Sequence, residues 1–298
     1  MSQSARVHAQ AKINLFLRIL SRESSGYHQL ETLFQRISLA DVVTVRLDVS
    51  ARSLDCTGPT AGDLLGPTDQ NLAWRAALAF CDVARWHVPF AIEIEKHIPV
   101  GGGLGGGSAD GGAVLRALNA LAPEPLGQDA LNAIAFTLGA DVPFLTTEMA
   151  LALGTGRGEQ LIPFAPMPAR PLRLVLPGFG VASKDAFGWY AADGAGRTPM
   201  PIPRVPLIGA LNWDVVAALA VNDLERPVFA RHPELPELLR TLAQSGAQSG
   251  AQIARMTGSG STLFAVYDTP PSEPSTFETD VQVVEATTVQ RVAPVTLL

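Results

Sequence analysis

"IPVGGGLGGGSADGG", Ile98 to Gly112, holds eight glycines in fifteen residues. Glycine loses more backbone freedom on folding than any other residue, so an ordered run like this needs a reason. The flanks supply one. "FAIEIEKHI" before it alternates as a strand does. "ADGGAVLRALNAL" after it has helical spacing, with Val114, Leu115, Leu118 and Leu121 facing inward. The first N–H groups of a helix lack intrahelical partners, and the dipole adds about half a positive charge there. Glycines let those groups reach phosphate oxygens with no Cβ in the way. The run therefore reads as a phosphate cradle and not as a linker.

Three phosphate motifs compete. No lysine follows any glycine of the run, which excludes G-x-x-x-x-G-K-[ST]. Gly101, Gly103 and Gly106 satisfy G-x-G-x-x-G, but so dense a run matches that pattern almost automatically. The ribose-binding acid expected about 20 residues on is missing, because Glu124 falls in the loop "APEPLG". The third motif, P-x-x-x-G-L-G-[small]₂-S, runs from Pro99 through Gly103, Leu104 and Gly105 to Ser108.

The rest of the chain sets the frame. It has 298 residues, 47% hydrophobic and 17% charged, with a net charge of -6. This suits one large or two ordinary domains and argues against nucleic acid or an anionic membrane as partner. Cys56 and Cys81 lack metal-ligand spacing and fit a reducing compartment. No leader pattern and no apolar run of membrane-spanning length is present, which predicts a cytoplasmic protein.

Along the chain, "AKINLFLRIL" (Ala11 to Leu20) opens as a strand. Tyr27 to Asp48 reads as two strands around a turn at Ala40-Asp41, and Arg52 to Asp69 as a polar loop. "NLAWRAALAFCDVA" is a helix with Leu72, Ala76, Ala79 and Val83 on one face. "DALNAIAFTLGAD" is another, capped by Asp129 and Gly139. "VPFLTTEMALALGTGRGEQLIPF" gives two short strands around a glycine turn. Past Pro163, "LRLVLP" is a strand, and "SKDAFGWYA" is a short helix with Ser183 as cap. Gly194 to Gly209 is a long loop, and "NDLERPVF" and "PELPELLRTLAQSG" are helical. "AQIARMTGSGSTLFAVYD" reads strand, glycine turn, strand, and the tail has room for strands at Val281 to Glu285 and Gln290 to Val292.

The third motif resembles that of the GHMP kinases. "AKINLFLRIL", "GYHQLETLFQ" (Gly26 to Gln35), "LGADVPFL" (Leu138 to Leu145), "NDLE" (Asn222 to Glu225) and "RMTGSGSTLFAVY" (Arg255 to Tyr267) match that family in order and spacing. Gly106 and Gly107 stand where most branches carry serines. That points to the branch that phosphorylates the 2-hydroxyl of a cytidine diphosphate derivative of methylerythritol, on the non-mevalonate route to isopentenyl diphosphate. The resemblance implies an α+β fold of two domains, 1–162 and 163–298. The first would carry a left-handed βαβ crossover and the second would be ferredoxin-like, with a last strand able to return to the first domain. ATP with magnesium would be co-substrate, with no metal-binding residue assigned. The partner is a small molecule, and the chain a monomer or weak homodimer.

By the same resemblance Asp141 is the catalytic base, which read alone is an ordinary turn aspartate. Lys12 lies beside it, keeping the carboxylate ionised and orienting the hydroxyl. Pro99, Val100, Gly101, Gly102, Gly103, Leu104, Gly105, Gly106, Gly107, Ser108 and Ala109 would bind ATP, with Asn71 and Lys96 on adenine and ribose. Ser108 would either meet phosphate or cap the helix. Asn14, on the strand face of Lys12, would face the substrate. Tyr27 and His28 would take the cytosine, Phe187 its other side, and Ser183 a substrate hydrogen bond. "SADGG" replaces the family's "SADAA", weakening the helix start. "TPPSEPSTFETD" replaces a family helix, predicting a reduced C-terminal edge. Tyr27-His28 argues against a mevalonate or homoserine kinase, and Lys12 with Asp141 against a non-catalytic sensor on the same fold.

Overall fold

The computed structural model describes residues 3–62, 66–194, 211–244, 250–271, 277 and 281–298. Two antiparallel strands of 19 residues each, β1 (Ser4–Arg22) and β2 (His28–Arg46), form its spine. β1 shifts register against β2 at Gln10/Lys12, at Asn14/Phe16 and at Ile19/Ser21. The predicted turn at Ala40-Asp41 does not occur. Gln10 pairs with Ala40 and Ala9 with Asp41, so β2 runs straight through. The Asp41 carboxylate is fully buried and accepts the N–H groups of His97 and Ile98, where a turn aspartate would cap its own chain.

The span expected as a loop contains a strand, β3 (Ser53–Thr57), parallel to β4 (Ala91–Glu95). Helix α1 (Leu72–Val83) joins them as a βαβ unit. β3 is an edge strand that half-buries only Leu54 and Cys56, and its polar alternate residues hid it. α1 buries Ala73, Ala76, Ala77, Phe80 and Cys81, a face rotated from the predicted one, and Val83 is exposed. Asn71 caps it, its Oδ1 accepting from the Ala73 N–H at 2.9 Å.

Next come α2 (Gly106–Leu121), α3 (Gln128–Leu138), α4 (Val142–Thr146), β5 (Leu151–Thr155) and β6 (Gln160–Pro163). Gly127, not Asp129, caps α3, and Gly139 ends it. "VPFLT" is helical where a strand was expected, because Pro143 suits the first turn of a helix. With β11 (Thr296–Leu297), the seven-stranded sheet runs β11-β1-β2-β4-β3, with β5 on β2 and β6 on β5.

The second sheet is antiparallel, in the order β10-β7-β9-β8. It comprises β7 (Pro171–Leu176), β8 (Ile253–Met256), β9 (Leu263–Val266) and β10 (Gln282–Thr287). That order is the ferredoxin-like one. Helices α5 (Ser183–Ala192), α6 (Trp213–Leu219), α7 (Glu225–Phe229) and α8 (Glu234–Gln244) accompany it. Ala182, not Ser183, caps α5. No strand forms at Gln290 to Val292. Thr296–Leu297 is β11 and pairs with Ala5 and Arg6 of β1. Residues 195–209 of the expected long loop, and most of "TPPSEPSTFETD", lie outside the described residues.

The second sheet separates two cores. Leu172, Leu174 and Phe264 join the large core of the first sheet, while Val175, Leu263 and Ala265 pack with Leu238 and Leu242. Leu17 and Ile19 of β1 enter that second core, so β1 serves both. Buried side chains of this kind are close-packed and fix their neighbours' positions. Residues of β1 on either side of Asn14 therefore sit at the seam of the molecule.

Candidate active site

A cleft of about 1420 Å³ follows this seam. The glycine run forms one wall. Gly101, Gly103 and Gly105 all have left-handed φ, between +75° and +78°, and Gly105 is the residue before α2. At Gly103 the demand is double, since a Cβ would stand 2.3 Å from the Thr257 carbonyl oxygen. Only glycine meets both conditions. The first turn of α2 thus opens into the cleft. Pro99 to Ser108 line it, but Ala109 does not. Ala109 is buried, and its N–H makes the first intrahelical bond, to the Gly105 carbonyl at 2.8 Å. Ser108 is the third residue of α2, past the capping position, and lines the cleft.

Lys12 is buried in β1 behind this wall. Its Nζ donates to the Gly103 carbonyl at 2.9 Å and to Asn14 Oδ1 at 2.8 Å, and stands 3.2 Å from Asp141 Oδ2. Asp141 precedes α4, makes no capping bond, and is 31% exposed toward the cleft. One ammonium therefore ties the glycine loop to a solvent-facing carboxylate. Asn14 donates to Thr32 Oγ1 at 2.7 Å, which fixes the orientation of its amide.

Lys96 lines the cleft and is also paired within the fold. Its Nζ pairs with Asp41 and, at 2.6 Å, with Asp110, all three groups being buried. Burial lowers the Lys96 pKa, but Asp110 and then Asp41 outweigh it and raise it overall. Burial pushes the Asp110 carboxyl up to about 8, with Lys96 opposing and Asp41 assisting. The lysine is committed to joining β2, β4 and α2 beneath the loop. Asn71 also lines the cleft, with its Oδ1 capping α1.

The far end of the cleft is aromatic. His28 stacks on Phe187, centroids 5.2 Å apart at 23°, with Tyr190 edge-on at 6.1 Å. Burial, then Arg22, lowers the His28 pKa. Tyr27 stands apart from this pair, 59% exposed, with the Arg157 guanidinium 3.9 Å above its ring. Glu23 holds Arg157 at 2.6 Å, and Arg157, with Ser25 assisting, lowers the Glu23 carboxyl to about 2. Ser183 bonds Ser259 of the second glycine turn at 3.1 Å.

That second turn is better defined than its sequence suggested. Thr257 Oγ1 accepts the Asn14 N–H at 3.2 Å, and Thr262 N–H donates to the Gly102 carbonyl at 3.3 Å. Asn222 Nδ2 donates to both Met256 and Gly258 carbonyls at 2.8 Å, and Asp223 Oδ2 accepts the Ile19 N–H at 2.7 Å. "NDLE" thus fastens the turn to β1 across the seam. Asp41, Asn222 and Thr257 are the residues that sequence reasoning missed. Asp41 and Asn222 each followed a hydrophobic run with no visible partner.

Comparison with known proteins agrees with this geometry. The GHMP kinases N terminal domain matches residues 71–148, and the GHMP kinases C terminal family matches 207–276. A 4-diphosphocytidyl-2-C-methyl-D-erythritol kinase of Solibacter usitatus is 38% identical over 89% of this chain and 82% of its own. A protein of the same name from Anaeromyxobacter dehalogenans is 40% identical over 87% and 79%. The crystal structure of a 4-(cytidine 5'-diphospho)-2C-methyl-D-erythritol kinase aligns with TM-score 0.67 at 35% identity, covering 88% of this chain and 90% of that one. A homoserine kinase from Cytophaga hutchinsonii, 18% identical, shares the fold with TM-score 0.71 over 100% and 98%. With the glycine loop, the Lys12–Asp141 pair and the two sheets all in place, the chain belongs to the GHMP kinases, in the family of the 4-diphosphocytidyl-2-C-methyl-D-erythritol kinases.

Proposed function

We propose that this protein transfers the γ-phosphoryl group of ATP to the 2-hydroxyl of 4-diphosphocytidyl-2-C-methyl-D-erythritol, giving the 2-phosphate on the non-mevalonate route to isopentenyl diphosphate. The observation that carries this reading is the Lys12–Asp141 pair, 3.2 Å apart, between a phosphate-binding wall and an aromatic end in one cleft. Phosphoryl transfer asks the protein mainly for positioning and charge stabilisation. The N–H groups at the start of α2 meet the phosphates. Asp141 accepts the hydroxyl proton as the oxygen attacks phosphorus. Lys12 holds the loop and the base in one frame.

Among the described residues no three His, Cys, Asp or Glu side chains cluster as a metal site. A magnesium ion would be held mainly by the nucleotide phosphates and water. Magnesium supplies charge neutralisation on the phosphates, and the Ser108 hydroxyl is the group that would meet a magnesium-bound water. The cytosine takes the free face of Tyr27, opposite Arg157, with the His28–Phe187 pair beside it. Two domains, 1–162 and 163–298, close this site, as the two separate sheets support. The enzyme acts in the cytoplasm as a monomer or weak homodimer. Free Cys56 and Cys81 accord with that compartment.

The test is incubation with MgATP and 4-diphosphocytidyl-2-C-methyl-D-erythritol, followed by detection of ADP and the phosphorylated product. Folded protein that turns over mevalonate or homoserine, or nothing, overturns the reading.

A further inference from the structure

We propose that Arg36 is a positioning residue for Asp141. It anchors the carbonyl end of α4, so that the aspartate at the other end stays opposite Lys12. The inference rests on the reading of Asp141 as the base.

Lys12 and Arg36 are direct partners across β1 and β2. They reach opposite ends of the same short helix. Lys12 meets Asp141, the residue before α4. Arg36 Nη2 donates to the Phe144 and Thr147 carbonyls, both at 2.9 Å, and its Nε donates to the Met149 carbonyl at 3.1 Å. The Phe144 carbonyl already accepts the Thr147 N–H at 3.2 Å and the Thr147 hydroxyl at 2.8 Å. The guanidinium adds a charged donor there and at the Thr147 carbonyl, at the negative end of the helix dipole.

The guanidinium is 1% exposed, and no carboxylate pairs with it among the described residues. Burial, then Arg116, lowers its pKa to about 9, which leaves it a cation at neutral pH. A buried charge held only by carbonyls is costly unless those bonds are kept, so α4 is strongly tied to it. The ring of Phe144 is held as well. Arg36 Cζ lies 5.1 Å over it, and Phe34 stacks on it at 4.9 Å and 16°. Gly112 lets α4 come this close to α2, since a Cβ there would stand 2.5 Å from the Leu145 carbonyl oxygen.

Asp141 makes no capping bond of its own, so its place depends on where α4 stands. Shifting α4 moves the carboxylate against Lys12 and the hydroxyl it must meet. Reactions that need a near-attack geometry are sensitive to such shifts, a 1 Å misplacement costing up to about 10²-fold.

Arg36→Lys keeps the charge but cannot serve three carbonyls from one planar fork, and Arg36→Gln removes the charge and keeps one amide donor. Each is measured by thermal melting, by kcat and by both KM values, and again in an Asp141→Asn background. The expected result is a folded variant whose kcat falls about tenfold with both KM values within about twofold, and no further loss once Asp141 is Asn. Folded variants with normal kcat overturn the proposal. So does a loss that persists in the Asp141→Asn background, or one that merely follows the loss of folded protein, including failure of both variants to fold. Near-normal turnover by Asp141→Asn alone would instead overturn the reading of the base.

Discussion

The Gly103 carbonyl accepts a hydrogen bond from Lys12 Nζ at 2.9 Å, so the lysine beside Asp141 also holds the glycine loop. The two duties separate in mutants. Asp141→Asn should lower kcat by about 10²–10⁴-fold with little change in either KM. Lys12→Met should lower kcat and also raise KM for ATP, because the loop loses its tie. Steady-state kinetics with each substrate varied decides this, and an unchanged KM for ATP in Lys12→Met would remove the loop from the duties of Lys12.

Gly103→Ala should both destabilise the protein and weaken ATP binding. A left-handed alanine costs about 1–2 kcal/mol. The added Cβ must also displace the Thr257 carbonyl, from which it would stand 2.3 Å. A lower melting temperature together with a raised KM for ATP is expected. A wild-type KM would show that the loop tolerates separation from the second glycine turn.

Lys96→Met should act on stability first. It leaves Asp41 and Asp110 facing each other in the interior without their shared cation. Breaking a buried ion pair from one side costs about 3–5 kcal/mol. Denaturant melts measure the loss. Unchanged stability with a raised KM for ATP would return Lys96 to the ribose role that its sequence suggested.

His28 should be neutral at pH 7. Its folded pKa lies below the ordinary 6.5 because burial, then Arg22, disfavours the imidazolium. As pH falls below about 6.5 the unfolded chain binds a proton that the folded chain refuses, so this contribution to stability is lost on acidification. NMR titration of the ring should give a midpoint below 6.5, and a midpoint at or above it contradicts the half-buried stack with Phe187.

Part of the site was legible because it is local. The glycine run is contiguous and carries its chemistry within a few residues, whereas "GYH" and "GADVPF" drew their roles from the family resemblance. What failed to read correctly depended on distant partners. Asp41 read as a turn residue because the His97 and Ile98 N–H groups that it accepts are more than fifty residues away. Gly112 read as a weakened helix start, yet it marks the close approach of α4 to α2.

By itself the sequence determined a glycine turn between a strand and a helix, because short-range spacing encodes turns, helix starts and strand faces; the family resemblance, and not spacing, singled out Lys12 and Asp141. Only the tertiary structure decided which buried cation serves which carboxylate or carbonyl. Lys12, Arg36 and Lys96 are indistinguishable in kind along the chain. Lys12 faces Asp141, Arg36 meets the Phe144, Thr147 and Met149 carbonyls, and Lys96 joins two buried aspartates. Burial forces each charge to find a partner, and which partner lies within reach is a property of long-range strand register and helix packing.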